Sequence, residues 1–240
     1  MLSAKPWRIE AVLLLLAGIF LSGFLGGLVY QAIRSFEWPA FEAHDKFFQF
    51  LVGTISLHVV AICLIAFFIR EHGLDWGTAF GLTGHKLGRT VLLAVLVGTV
   101  VLPITWYLNH VAFLLLSRIE AQPPMQPAVE TFRATVTKGQ QIVFGVVTIV
   151  VAPVAEELLF RGVLYPALRR YARRSFALWG VAVVFAAIHQ SDVTFVPLTF
   201  LAVMLALLYE ETGSLTAPIL VHCIFNSANF LWLMAERQSF

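Results

Sequence analysis

Apolar stretches long enough to cross a bilayer constrain this chain more than any other feature. They run from Ala11 to about Ile33, Phe47 to Ile69, Thr90 to Leu116, Gln140 to Leu168, Phe176 to about Gln190, Thr194 to Tyr209 and Pro218 to about Met234, separated by polar connectors. In hydrocarbon every backbone N–H and C=O must be satisfied within the protein, and continuous apolar runs of this kind do so as helices. The expected fold is all-α: a polytopic membrane helix bundle of about seven transmembrane helices, with residues 1–240 as a single integral membrane domain. The balance of 59% hydrophobic against 12% charged residues and a mean hydropathy of +0.84 rule out a soluble domain. A formal charge of +2, with no basic run interleaved with aromatics, points away from nucleic acid, so the expected surroundings are the lipid bilayer.

The first stretch follows Lys5 and Arg8, exceeds a signal-peptide core and lacks a small-residue cleavage site, so it reads as a retained span. The second carries a mid-span His58, taken as a histidine hydrogen-bonded between helices and left out of the site. Residues 70–89 form a polar connector with glycines at 73, 77, 81, 84 and 88, where Trp76 and Phe80 are expected as interfacial anchors. Pro103 interrupts the third stretch. The longest loop, Ser117 to Gly139 with Pro123, Pro124 and Pro127, reads as a plain solvated connection. Spans four and five form a tight hairpin turning near Tyr171 to Arg173. Thr212-Gly213 closes span six, and Pro218 opens span seven. Alternate connectors hold nine basic residues on the side of the N-terminus (Lys5, Arg8, Arg70, Lys86, Arg89, Arg169, Arg170, Arg173, Arg174) against six on the other, which orients the N-terminus to the cytoplasm. Cys63 and Cys223 lie in apolar stretches and form neither a disulfide framework nor a metal knuckle.

The fourth stretch is the exception among the spans. In its middle it carries Glu156, Glu157 and Arg161. A charge near the bilayer centre costs about 3 kcal/mol on insertion scales, so such residues face protein or a water-filled cavity and mark a functional site. Glu157 and Arg161 share a helix face at i, i+4, where they can pair, while Glu156 points elsewhere and needs a partner from another helix. Pro153 removes a backbone bond just before it.

Two later stretches carry polar groups at the same spacing: Phe185 with His189, and His222 with Asn226. Glu156 and His189 are nearly equidistant from the turn between spans four and five, so antiparallel helices bring them to one level. Two histidines, a carboxylate and an amide in a low-dielectric pocket can activate water and stabilise an oxyanion. Glu156, His189 and His222 are also the ligand types of a zinc site, although HExxH is absent.

EELLFR (156–161), FAAIH (185–189) and HCIFN (222–226) resemble the EExxxR, FxxxH and HxxxN signatures of the CPBP (Abi/CAAX-protease) intramembrane proteases, the group that includes the type II CAAX prenyl endoprotease. The turn ETGSLTAPI before the last motif is similar to the family's run-in, and the resemblance covers roughly residues 140–229, the expected catalytic core. It implies an intramembrane endopeptidase in which Glu156 is the general base, His189 positions it, and His222 and Asn226 hold the oxyanion. Glu157, Arg161 and Phe185 are supporting residues. The implied partner is a membrane-associated or lipid-modified protein or peptide, and the implied location a bacterial cytoplasmic (inner) membrane. No cofactor is expected, because neither histidine has a carboxylate in its own motif of the sort that orients zinc-bound imidazoles. The alternatives are a zinc-dependent version of the same protease, and a non-peptidase transporter or immunity protein using the same Glu/His cluster.

Overall fold

A computed structural model describes residues 5–37, 39–82, 87–119 and 126–238. Gly84, Lys86, Pro123 and Pro124 lie outside these residues. The helices are α1 (Ile9–Arg34), α2 (Asp45–Glu71), α3 (Trp76–Phe80), α4 (Leu87–Leu116), α5 (Pro127–Arg133), α6 (Lys138–Tyr171), α7 (Arg174–Ala187), α8 (Asp192–Thr212) and α9 (Thr216–Gln238), with a single turn, Pro39–Glu42, ahead of α2. The described residues contain no strand. The protein is a polytopic helical bundle, and each expected stretch is a helix. Six are long and apolar enough to cross a membrane. The seventh, α7, has 14 residues and reaches only about 21 Å of a hydrocarbon core of roughly 30 Å. It stops because Gln190 takes a left-handed conformation (φ 52°) and Ser191 is extended, which starts α8 early.

α8 is the centre of the bundle. It packs against α4 and α7, and 61% of its span is buried against 22% for α1, α4 and α9, whose outer faces are left to lipid. A helix that is apolar all round belongs in such a position. α9 runs beside α4, α6 and α8, and α2 lies between α1 and the middle of α6. Gly213 (φ 66°) closes α8 in the left-handed conformation, and Pro218 sits in the first turn of α9, as the sequence indicates.

Two connectors differ from their sequence reading. Asp75 caps α3 by accepting from the Thr78 amide at 3.0 Å and hydroxyl at 2.7 Å, bonds that hold its carboxyl below the usual range. This turns Phe80 inward. Phe80 is fully buried against Gly162, and its carbonyl accepts from the Leu215 amide at 2.9 Å, so it is a core residue, and Trp76 alone of the pair is partly exposed. Nor is the described part of the long loop a plain solvated connection. α5 packs over α2 and α9 and is tied down by Lys46–Glu130 at 3.0 Å and Arg133–Glu236 at 3.3 Å. Just past its end, Arg237 donates to the Thr135 hydroxyl and carbonyl at 2.8 and 2.6 Å.

α6 is not a uniform α-helix. Its turns widen to π geometry at Val147–Val151 and Leu158–Leu164, on either side of the two glutamates. Each wide segment ends two residues before a proline, Pro153 and Pro166. A proline supplies no N–H and its ring presses on the carbonyl four residues back, so widening the preceding turn relieves the clash without breaking the helix.

Candidate active site

Glu157 and Arg161, one helical turn apart on α6, meet at 2.8 Å with no solvent exposure. Arg161 also donates to the Ala202 carbonyl of α8 at 3.0 Å, and its guanidinium lies 4.7 Å from the centre of the Phe185 ring of α7. Phe185 in turn meets His222 edge-on at 5.8 Å. The arginine therefore binds three helices at one point. The same Glu157 oxygen that accepts from Arg161 accepts from His222 Nδ1 at 2.8 Å. A carboxylate only accepts here, so Nδ1 carries the hydrogen and Nε2 is presented on the opposite side of the ring.

Nε2 of His222 lies 3.8 Å from Glu156 Oε2, and His58 Nε2 lies 3.6 Å from Glu156 Oε1. Glu156 Oε2 is buried with no hydrogen-bond partner. All three residues line a cavity of about 490 Å³, together with His189, Ser191, Thr148, Asn226 and Asn229. That volume lies within the range of small-molecule and peptide side-chain pockets. The other walls are mostly apolar: Phe50, Phe113, Phe144, Phe230 and Trp232, with Ala128 and Val129 of α5 over one side. Trp106 of α4 donates to Asn229 of α9 at 3.0 Å and joins these two walls.

His189 is placed by the turn after α7 and not by the helix itself. Its backbone N–H bonds Ala186, and its Nδ1 lies 2.7 Å from the Phe185 carbonyl. Since a carbonyl only accepts, Nδ1 again carries the hydrogen. In the neutral ring Nε2 is then a hydrogen-bond acceptor. Asn226 donates one amide hydrogen to the Thr148 carbonyl at 2.7 Å, a carbonyl exposed by the wide turn of α6, and this fixes the amide and leaves its second N–H.

The arrangement brings Glu156, His189, His222 and Asn226 to one cavity and stacks Glu157, Arg161 and Phe185 behind it. Two details depart from expectation. Glu156 has His58 and His222, not His189, as its nearest ionisable neighbours, and His222 has a carboxylate behind it from α6, which its own motif does not reveal. That second feature is the kind that orients zinc-bound imidazoles. Yet among the described residues no three His, Cys, Asp or Glu side chains converge tightly enough to hold a metal ion.

His58, set aside from the sequence as a histidine hydrogen-bonded between helices, lines the cavity. Its signal is its place in the span: α2 runs from residue 45 to 71, so His58 has thirteen residues on either side and sits mid-helix, as Glu156 does in α6.

Comparison with known proteins bears on the same segment. Residues 138–228 match the family model described as "Type II CAAX prenyl endopeptidase Rce1-like". Over this segment the chain is similar to the family whose signatures its motifs resemble. Among curated proteins, the uncharacterized protein YpbD of Bacillus subtilis (strain 168) is 35% identical over 77 residues, which cover 30% of this chain and 36% of that protein. The chain thus matches little more than a third of the length of this relative. No solved structure gives a significant match. The matched segment spans all of α6, α7 and α8 and most of α9, so it contains Thr148, Glu156, His189, Ser191, His222 and Asn226, while His58, the walls from α2, α4 and α5, and Asn229, Phe230 and Trp232 of α9 lie outside it. The chain is an integral, multi-pass membrane protein, and this segment of it is similar to a membrane peptidase family.

Proposed function

We propose that this chain is an intramembrane endopeptidase that hydrolyses a peptide bond in or near the bilayer with water activated by Glu156. The observation that carries the reading is the Glu156 carboxylate, which lines a cavity of about 490 Å³, has two histidines beside it and keeps one oxygen buried without a partner. Without a reacting partner such an oxygen only destabilises the fold.

In this mechanism a water molecule donates one hydrogen to Glu156 and the other to the free Nε2 of His189. As the water oxygen bonds to the scissile carbonyl carbon, its proton passes to Glu156 and the carbonyl electrons move to the oxygen. The oxyanion takes the second N–H of Asn226 and the Nε2–H of His222 in its imidazolium form, whose Nδ1–H Glu157 holds. With His222 charged, the cluster of Glu156, Glu157, Arg161 and His222 is electrically neutral, which suits a low-dielectric site. Collapse of the intermediate breaks the C–N bond, and Glu156 returns the proton to the departing amine. One water and one amide yield one acid and one amine.

The substrate class is a membrane-associated or lipid-modified protein or peptide, since the cavity lies at the depth of the spans and its walls are largely apolar. The location is a bacterial cytoplasmic membrane with the N-terminus inside. A transporter would need polar groups continuing from the cavity to both faces, and among the described residues the ionisable ones lining it are His58, Glu156, His189 and His222. The test is cleavage of a transmembrane peptide by purified wild type and Glu156→Gln. The proposal requires cleavage by the first and none by the second.

A further inference from the structure

Of the four ionisable side chains that line the cavity, His58 alone lies outside the matched segment 138–228. A packing histidine between helices satisfies its ring nitrogens on neighbouring backbone or side chains. His58 does not: Nδ1 is buried without a partner, and the polar group facing Nε2 is Oε1 of Glu156 at 3.6 Å. That separation is a few tenths of an ångström beyond a hydrogen bond, the usual looseness of a catalytic contact without substrate. An unpaired buried N–H is costlier than an unpaired lone pair, so the favoured tautomer keeps its hydrogen on Nε2, toward Glu156.

The local backbone is built to hold this placement. Residues Thr54–Val59 form a wide π turn with no proline to cause it. Its cause is side-chain insertion: Ser22 of α1 donates to the Ser56 carbonyl at 2.6 Å, while the Ser56 hydroxyl turns back to the Val52 carbonyl at 2.7 Å. Gly26 makes room for Ser56, since a Cβ at that position would collide with the hydroxyl. A wide turn inserts one residue and rotates the rest of the helix by about 100°, and it is this segment of α2 that packs on residues 152–157 of α6.

We propose that His58 is a positioning residue for the base: its Nε2–H, facing Oε1 of Glu156 at 3.6 Å, holds the carboxylate in the orientation from which it takes the proton from water. The inference rests on the reading of Glu156 as the base. His58 keeps its own proton throughout, and Oε2 is buried without a partner, 3.8 Å from Nε2 of His222. The other charged or titratable groups around it are Glu157 and Arg161 of α6, His189 after α7 and His222 of α9.

The experiment uses the purified full-length chain and a transmembrane peptide probe, with His58→Phe, His58→Gln, His58→Asn and Glu156→Gln. The Gln amide nitrogen reaches the place of Nε2, whereas Asn is one methylene short. His58→Phe and His58→Asn are expected to lower kcat by about tenfold or more, part of the 10²–10⁴ a general base supplies, with KM unchanged, and His58→Gln to recover kcat to within about threefold of wild type. A packing role would show the reverse order, with Phe best tolerated. A second readout needs no turnover: infrared difference spectra of the Glu156 carboxylate, assigned with Glu156→Gln, should shift on His58→Phe and return on His58→Gln. Wild-type kcat in His58→Phe, or an unmoved carboxylate band, would overturn the proposal. Activity in Glu156→Gln would instead overturn the assignment of the base, whatever the His58 variants do.

Discussion

Removing the Arg161 guanidinium should unfold this protein earlier, and by an amount that can be worked out. Arg161→Ala deletes the 2.8 Å pair with Glu157, the 3.0 Å bond to the Ala202 carbonyl and the face of Phe185, all at zero exposure. Breaking a buried pair from one side costs roughly 3–5 kcal/mol, because the remaining carboxylate is stranded. Here the lower end applies. The pair is a single N–O contact with Glu157 Oε2 and Arg161 Nε unbonded, His222 still donates to Glu157, and helices unfolded in a bilayer find other partners. At about 2–4 °C per kcal/mol for a chain of this size, a loss of about 3 kcal/mol lowers the melting midpoint by roughly 6–12 °C. The assay is thermal unfolding in detergent read by fluorescence-detected gel filtration, with Glu157→Gln/Arg161→Met as the comparison. The double variant removes the stranded charge and should melt above Arg161→Ala, yet be inactive because His222 loses its carboxylate. A midpoint for Arg161→Ala within about 2 °C of wild type, or a double variant no more stable than the single one, would refute the reasoning.

Other consequences are as direct. Glu156→Gln should abolish cleavage while leaving the melting midpoint and membrane insertion unchanged, measured on the same purified samples. His189→Ala and His222→Ala should be similarly inactive, and Asn226→Ala should lose roughly 100-fold in kcat, the usual loss for one oxyanion donor, since its remaining N–H is the one proposed to meet the oxyanion. Gly162→Ala should destabilise the bundle by about 1–3 kcal/mol through overpacking, because the new methyl would lie 2.6 Å from the Phe80 ring and 3.2 Å from Leu215. Phe80→Leu in the same chain should restore part of that loss in denaturation experiments.

The sequence discloses whatever local periodicity encodes. Glu157 and Arg161 pair because four residues make about one turn, and that is legible from their spacing alone. So is the hairpin that brings α7 back along α6. Contacts between distant segments are not: the bond from His222 to Glu157 joins residues 65 positions apart, and nothing in HCIFN announces a carboxylate behind the ring. For the same reason the carboxylate behind His222, which comes from another motif, is not legible from its own. His58 is visible in the sequence but reads as a packing histidine, because one polar residue in an apolar run has no partner at helical spacing, and only tertiary packing shows that it faces Glu156. Phe80 misleads because its aromatic character suits an interface as well as a core. Its burial is decided by the Asp75 cap and by the space at Gly162. The wide turns in α6 follow from prolines visible in the sequence, but the one in α2 depends on Ser22 of a different helix.

The central claim is that water is activated by Glu156 without a metal, and metal removal during turnover tests it most directly. Detergent-purified protein would be assayed by mass spectrometry for cleavage of a lipid-modified or transmembrane peptide, before and after chelation, with elemental analysis of the same sample. The account predicts a cut that persists at the same rate after chelation and is absent in Glu156→Gln. One tightly bound metal per chain, required for turnover and restoring it on re-addition, would contradict it.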